Sequence, residues 1–315
     1  MKVLVTGANG FVGRALCAHL ASGRHHVVAA VRASHTGMQA QQIVTIDALD
    51  QNTDWRNAFQ GVDAVVHLAA RVHILRVDAG DSAGEFQIIN VAATLNLARQ
   101  AAAAGVKRFV FLSSVKVNGE VSPPGQPFCE LDTPNPQDHY GHSKYEAEKG
   151  LRQIADTTSL QVVIIRPPLV YGPGAKANFG ALMAWVARGW PLPLGGIHNI
   201  RSLVGLDNLV DFVATCLTHP AAANQTFFVS DRQDISSTAL VHALADAAGV
   251  RAHLLPVPAS LLMAMARSLG KGAAAQRLCQ TLQVDTTKAG ELLGWVPPVS
   301  LQLGLKHAMR SQRRP

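Results

Sequence analysis

The chain has 315 residues, 48% hydrophobic, 16% charged and 5% aromatic, enough to bury one large core or two modest ones. That apolar fraction excludes a disordered chain. No apolar run reaches the ~18 residues of a membrane-spanning helix, and the densest, His253 to Ala266, is broken by Pro256 and Pro258. The formal net charge of +7 suits an anionic partner, whether nucleic acid, acidic lipid or a phosphorylated metabolite. Basic residues cluster only at Arg310 to Arg314, which reads as a solvated end. The four cysteines (Cys17, Cys129, Cys216 and Cys279) lie far apart without a CxxC, so neither zinc nor a disulfide framework is expected. The apolar stretch at the N-terminus is too short for a signal peptide. A cytoplasmic protein without stable membrane insertion is therefore expected.

In chain order, Lys2–Thr6, Val27–Val31, Ile43–Ile46, Ala64–Leu68, Phe109–Ser113 and Val162–Ile165 are almost continuously apolar and β-branched, as strands covered on both faces are. Helical spacing fills the intervals at Phe11–Ser22, Trp55–Phe59, Phe86–Ala104 and Tyr140–Ala155. Alternation of this kind predicts an α/β fold, a Rossmann-type doubly wound parallel sheet with ligands at the carboxyl ends of its strands. After Arg166 the rhythm changes: Pro167, Pro168, Gly172, Pro173 and Gly174 interrupt regular structure. Helices at Asn178–Arg188, Asp207–His219, Ser237–Ala248 and Ala259–Leu269, with a short strand at Thr226–Val229, then make a smaller, mostly α lobe. The predicted division is a nucleotide-binding domain over 1–176, with a segment within 199–232 returning to it, and a substrate lobe over 177–315. The apolar segment Leu254–Leu269 reads as a helix buried against that lobe; the alternative is a face touching a membrane that carries a lipid-linked substrate.

The first strand runs into Thr6-Gly7-Ala8-Asn9-Gly10-Phe11-Val12-Gly13 and then a helix. Glycines at such a junction permit a tight turn and a close approach to a pyrophosphate, whose charge sits on the helix N-terminus. The spacing is G-x-x-G-x-x-G, one residue wider than the usual dinucleotide fingerprint. At the end of the second strand an acid would accept from the ribose 2′-hydroxyl of NAD, whereas arginine accommodates the 2′-phosphate of NADP. Here the strand ends Ala30-Val31-Arg32, which favours NADP over NAD, with stacking of Arg32 on the adenine as the alternative. Asp47, just after the third strand, is placed to accept from the adenine amino group or to cap a turn.

Tyr140 and Lys144 are four residues apart and share a helix face. An ammonium beside a phenol favours the phenolate; bringing a phenol from its ordinary range to ~7 takes roughly 4 kcal/mol. Such a tyrosine is a general acid/base for interconverting an alcohol and a ketone. Tyr145 and Lys149 repeat the spacing, but Tyr140, Lys144, Ala147, Leu151 and Ile154 form the inward stripe. Tyr145, Glu148, Lys149 and Arg152 are expected on a solvated polar face. Ser114, where the fifth strand ends, would hydrogen-bond the reacting oxygen; alone it would read as a loop cap.

These residues together resemble the extended short-chain dehydrogenase/reductases, which include nucleotide-sugar epimerases, dehydratases and ketoreductases. The resemblance rests on Thr6-Gly-x-x-Gly-Phe-Val-Gly13, His67-Leu-Ala-Ala70, Asn90-Val91, Ser113-Ser114, Tyr140-Gly-His-Ser-Lys144 with Ala147-Glu148, Arg166-Pro-Pro-Leu-Val-Tyr-Gly-Pro173, and Asp285-Thr-Thr-Lys288 with Leu293-Gly-Trp295. It implies a bound NAD(P), a catalytic trio of Ser114, Tyr140 and Lys144, and a sugar-nucleotide site between the lobes. Cofactor contacts are implied for Gly7, Asn9, Gly10, Phe11, Val12, Gly13, Arg32, Asp47, Ala48, Leu68, Ala69, Ala70, Tyr140, Lys144 and Pro167. Ser114, Asn178, Arg201 and Arg277 are implied on the substrate side, and no metal is expected.

Two departures narrow the chemistry. Val115-Lys116 stands where the dehydratases carry Asp-Glu, which disfavours water elimination. Leu169 replaces an asparagine that holds the substrate diphosphate in many members. The expected reaction is oxidoreduction at C4 of a UDP-sugar, as a 4-epimerase or a 4-ketoreductase of surface-polysaccharide synthesis. The alternatives are an NADPH ketoreductase of a non-sugar substrate, like the dihydroflavonol reductases, and a non-catalytic NADP-binding regulator. A homodimer is common in the family. Two anionic diphosphates account for the basic excess, so no nucleic-acid partner is expected.

Overall fold

Continuous apolar strands separated by helices fold into a parallel sheet. The computed structural model describes residues 1–33, 37–72, 82–123, 125–175, 177–270 and 272–310; Arg313 and Arg314 of the basic tail lie outside the described residues. The chain runs β1 (Lys2–Thr6), α1 (Phe11–Ser22), β2 (His26–Val31), β3 (Gln42–Thr45) and β4 (Ala64–His67). A helix in three pieces follows: α2 (Ser82–Phe86), a π-helical stretch Gln87–Ala92, and α3 (Ala93–Ala103). Then come β5 (Arg108–Leu112), α4 (His139–Thr157), β6 (Gln161–Arg166), β7 (Leu169–Tyr171), α5 (Ala177–Ala187), β8 (Leu203–Gly205), α6 (Leu206–Thr218) and β9 (Thr226–Phe228). The chain closes with α7 (Ser237–Ala248), α8 (Ala259–Ser268), α9 (Gly272–Cys279), α10 (Thr287–Leu293) and α11 (Leu301–Arg310).

Seven strands form the main sheet in the order β3-β2-β1-β4-β5-β6-β9, every pair parallel. The edge strand β3, expected to be covered on both faces, leaves Ile43 42% exposed, because among the described residues no strand or helix covers its outer side. Alternate residues of the inner strands enter opposite cores. Val3, Val5, Val27, Val66, Val110 and Val163 pack with α1 and α6, while Leu4, Val28, Val65, Phe109 and Phe111 pack with α3 and α4. Burial on both faces is why these strands read as unbroken apolar runs. The order reverses between β1 and β4, and the register aligns Thr6 with His67 and His67 with Phe111, so the carboxyl ends of three strands meet at one edge.

Residues 199–232 contribute β8, α6 and β9: Val204, Leu209, Phe212 and Phe227 enter the α1 side of the sheet core. A second core gathers Tyr171, Phe179, Met183, Leu203, Leu244 and Leu305 around the small parallel pair β7–β8. Tyr171 Oη donates to Asp231 Oδ2 at 2.7 Å, and Asp231 Oδ1 accepts from Gly205 N and Asn208 Nδ2. This buried polar knot joins the start of the second lobe to the end of the sheet.

Three expectations change. The segment predicted as a helix at Trp55–Phe59 is a 3₁₀ turn over Arg56–Phe59. The helix expected over Phe86–Ala104 begins with the π-helical stretch, whose extra residue per turn is invisible to a 3.6-residue pattern. The segment Leu254–Leu269, expected as a buried helix, forms α8 with no buried residue. Ala259 and Leu262 touch the lobe core, and Leu261 and Met265 point to solvent.

Candidate active site

The turn after β1 is built on backbone that side chains would block. Gly7 has φ +66°, in the left-handed region, and a Cβ there would lie 2.8 Å from Ala69 N. A Cβ on Gly13 would lie 2.1 Å from Gly7 O, so only glycine lets α1 start this close to the turn. Gly10 caps α1 with no side-chain hydrogen bond, leaving the first-turn N–H groups and the positive end of the helix dipole facing the loop. The cradle fits the pyrophosphate of a dinucleotide. Leu68, Ala69 and Ala70 run past it, half-buried, from the end of β4.

A chain of hydrogen bonds fixes that neighbouring strand end. Ala69 N–H donates to Thr6 Oγ1 at 3.3 Å, and Thr6 Oγ1 lies 2.7 Å from His67 Nδ1. His67 Nε2 lies 2.9 Å from Thr94 Oγ1, which donates to Asn90 O. Because Thr94 spends its proton on Asn90 O, His67 must donate from Nε2 and accept at Nδ1. Burial, then the Lys144 charge, lowers His67 to about 3, so the ring is neutral and acts as a spacer.

Asn90, on the π-helical stretch, joins this system to α4. It accepts from Arg71 N at 2.8 Å and donates to Arg71 O and to Ser143 Oγ, and Ser143 Oγ donates to Tyr140 O. In the sequence Asn90 stands in the Asn90-Val91 motif with no role of its own. Its position on a π turn, a frequent mark of functional sites, supplies one.

Tyr140 and Lys144 stand on the first turns of α4, whose N-terminus Asp138 caps through Gly141 N at 2.7 Å. Lys144 is buried, donates to Leu112 O at 2.9 Å, and lies over the Phe111 ring at 4.4 Å from its centroid. Its Nζ is 5.9 Å from the Tyr140 ring centroid. Burial lowers Lys144 to about 7, against the opposing pull of Glu148. The expected lowering of Tyr140 does not appear. Burial, then the Asp138 charge, raises the phenol above its ordinary value, because desolvation outweighs an ammonium at this separation. Tyr140 therefore holds its proton at neutral pH.

Ser114 follows β5 and accepts from Lys116 N at 3.2 Å, capping a 3₁₀ turn over Val115–Val117. It is a loop cap whose hydroxyl hydrogen remains free to point at a ligand. Its neighbour Ser113 faces inward, donating to Glu148 Oε1 at 2.6 Å. Glu148 also accepts from Arg166 Nε at 2.9 Å and Nη2 at 2.5 Å, and Arg166 Nη1 donates to Asn118 Oδ1. Glu148 was expected on the solvated face; it is fully buried because that side of α4 lies on the ends of β5 and β6. Tyr145 and Lys149 do face outward, with Lys149 paired to Glu146 at 2.7 Å.

The remaining predicted residues divide. Pro167 is buried, and its carbonyl accepts from Val115 N at 3.0 Å. Arg32, Asp47 and Ala48 are exposed where β2 and β3 end, at the same sheet edge as Gly7. Arg201 is half-buried, donates to Gln280 O, and is lowered by burial and then by the neighbouring charge of Arg277. Arg277 is exposed and also acts electrostatically on Asp138. The Arg277 charge is thus felt both at Arg201 and at Asp138, the cap of the helix that carries Tyr140, a field suited to a diphosphate. Asn178 is exposed in the first turn of α5. Lys116, not singled out as a site residue, pairs with Asp138 and with Glu120 at 2.8 Å, so the side chain that replaces the dehydratase acid braces the α4 cap.

A family model described as the NAD dependent epimerase/dehydratase family matches residues 3–229. The chain is similar to a UDP-glucose 4-epimerase of Vibrio cholerae, 42% identical over 98% of this chain and 95% of the relative. It is 28% identical, over 98% of this chain and 94% of the other, to an N-acetyl-alpha-D-glucosaminyl-diphospho-ditrans,octacis-undecaprenol 4-epimerase of Escherichia coli O157:H7. Among solved structures, MoeE5 in complex with UDP-glucuronic acid and NAD has the same fold, with TM-score 0.79 and 24% identity over 100% of this chain and 99% of that one.

Proposed function

Because the chain belongs to the NAD-dependent epimerase/dehydratase family, we propose that it acts at C4 of a UDP-linked sugar, as a 4-epimerase in surface-polysaccharide precursor synthesis. One observation carries the reading. A proton-holding Tyr140, a buried Lys144 and the Ser114 hydroxyl occupy the sheet edge that also carries the glycine cradle. A nicotinamide dinucleotide held at the Gly7–Gly13 cradle would supply the hydride acceptor and donor for the sugar carbon. The chain's own residues do the rest. Tyr140 Oη gives its proton to O4 when a 4-keto sugar is reduced. To take the proton from the 4-hydroxyl in the reverse direction it must first be the phenolate, which the positive charge of a bound nicotinamide and a protonated Lys144 would favour over the phenol of the free chain. Ser114 Oγ donates to the same oxygen and orients it. Arg201 and Arg277 neutralise the diphosphate, with Asn178 at the mouth of the second lobe.

Arg32 favours a second reading of the same site. Its guanidinium, exposed at the ribose end, suits the 2′-phosphate of NADP and hence an exchangeable reductant and a net 4-keto reduction. Cofactor retained on purification separates the two: tightly held NAD(H) supports the epimerase, exchangeable NADPH the reductase. A homodimer in the cytoplasm belongs to the same proposal and is tested by light scattering and cell fractionation.

The decisive test is Tyr140→Phe. It should lower kcat by on the order of 10²- to 10⁴-fold with UDP-glucose or UDP-N-acetylglucosamine, read by product NMR, while Tyr145→Phe stays within about threefold of wild type. Retained activity in Tyr140→Phe would overturn the assignment.

A further inference from the structure

The second lobe has an unusual rim. No residue of α8 is buried, and its outward stripe Leu261, Met265 and the following Leu269 is 52%, 53% and 70% exposed. The spacing i, i+4, i+8 puts these side chains on one line. The chain entering α8 is tied to the segment after α5. Leu192 N donates to His253 O at 2.9 Å, Leu255 N to Leu192 O at 2.8 Å, and Gly195 N to Leu255 O at 2.9 Å. Leu255 is itself half exposed. Just before Leu192 stand Trp185 and Trp190, both well exposed and in edge contact at 5.1 Å, with the Arg188 guanidinium 5.1 Å over the Trp190 ring.

The two segments that form this rim carry charge of one sign. From 247 to 270 the sequence contains no aspartate or glutamate and carries Arg251 and Arg267; from 178 to 200 it again contains none and carries Arg188. A protein partner with an ordinary surface would be met by charges of both signs. A wide apolar stripe edged by tryptophan and by arginine alone matches the headgroup boundary of an anionic bilayer, where indole rings settle and basic side chains meet phosphate.

We propose that α8, with the Trp185–Trp190 turn, is a peripheral docking face for an anionic phospholipid membrane. Leu261, Met265 and Leu269 enter the acyl boundary, and Arg188, Arg251 and Arg267 lie against headgroups. Docking of this depth is reversible, as a short interfacial helix allows, and it presents the second lobe to the bilayer surface. The inference does not depend on the reaction catalysed, and its test needs no substrate.

The full chain is sedimented with vesicles of phosphatidylglycerol and phosphatidylcholine in equal parts, and with phosphatidylcholine alone. Wild type should pellet with the anionic vesicles and be released as salt is raised. The emission of its tryptophans should shift to the blue, because Trp185 and Trp190 are exposed whereas Trp55 and Trp295 are already buried. The double variant Leu261→Gln/Met265→Gln, at exposed positions, should lose at least about tenfold in partitioning, with its thermal midpoint and turnover unchanged. Arg267→Glu should weaken binding to the anionic vesicles only. Wild type that stays in the supernatant overturns the proposal, as does a glutamine variant that pellets unchanged. A dimer dispersed by those substitutions without vesicle binding would assign the face to a second copy and equally overturn it.

Discussion

The sheet edge beneath Tyr140 and the sheet edge beyond Arg32 are continuous, yet they are built oppositely. Under Tyr140 and Lys144 the buried polar side chains are tied into networks. Ser113, Glu148, Arg166 and Asn118 form one buried network, and Thr6, His67, Thr94 and Asn90 form another. Three strands from β5 to β2 and four to β3, Arg32, Asp47 and Ala48 follow their strands exposed to solvent. A general acid must stand within a few tenths of an ångström of one oxygen, so its surroundings are over-determined. A group that meets a ligand's charge can be held loosely, because charge attraction is long-ranged and tolerant of geometry.

The comparison breaks most visibly at Glu148. Glu148→Ala leaves the Arg166 guanidinium buried, with Asn118 as its remaining side-chain partner, and should cost about 3–5 kcal/mol, on the order of 10 °C in Tm. Thermal and urea denaturation measure it. A loss below about 1 kcal/mol would show that strand packing alone sets this edge.

A smaller effect comes from Lys144. Below pH 7 the folded and unfolded chains both carry its proton. Burial lowers the folded value to about 7 from 10.5, so above pH 7 the folded chain releases a proton that the unfolded chain still binds. The unfolded state then binds more protons, and stability rises with pH by up to about 1.4 kcal/mol per unit. The rise should run from pH 7 until the unfolded tyrosine begins to ionise near pH 10, which reverses it because the folded Tyr140 is held protonated. Urea midpoints across this range, compared with Lys144→Met, test the slope; the variant should flatten it.

The two edges also differed in how far the sequence disclosed them. Parallel strands covered on both faces announce themselves as apolar runs, and the Gly7–Gly13 junction announces a phosphate cradle, because each has one physical cause within a short stretch. Glu148 did not. Helical periodicity sorts residues by their own polarity, and a carboxylate whose partner is Arg166, 18 positions away, looks like surface. The available signal was Arg166 itself, a charged residue ending an apolar strand. The π turn under Asn90 and the three-residue strands β7 and β8 were equally hidden, being too short or off-period for pattern reading. Lys116 showed only as a departure from a motif, and its bond to Asp138 needed the fold.

The finest test lies at the open edge. Arg32 is exposed, so Arg32→Ala should change stability by less than about 0.5 kcal/mol. If its guanidinium meets a 2′-phosphate, the variant should bind NADPH about tenfold more weakly, roughly 1.4 kcal/mol, while NADH affinity holds within about twofold. The NADPH term should also shrink as salt is raised, since both charges lie in solvent. Titration calorimetry with the two nucleotides reads all three quantities. An equal loss for both would place Arg32 over the adenine ring, a contact they share, and would move the choice of cofactor to another residue of this edge.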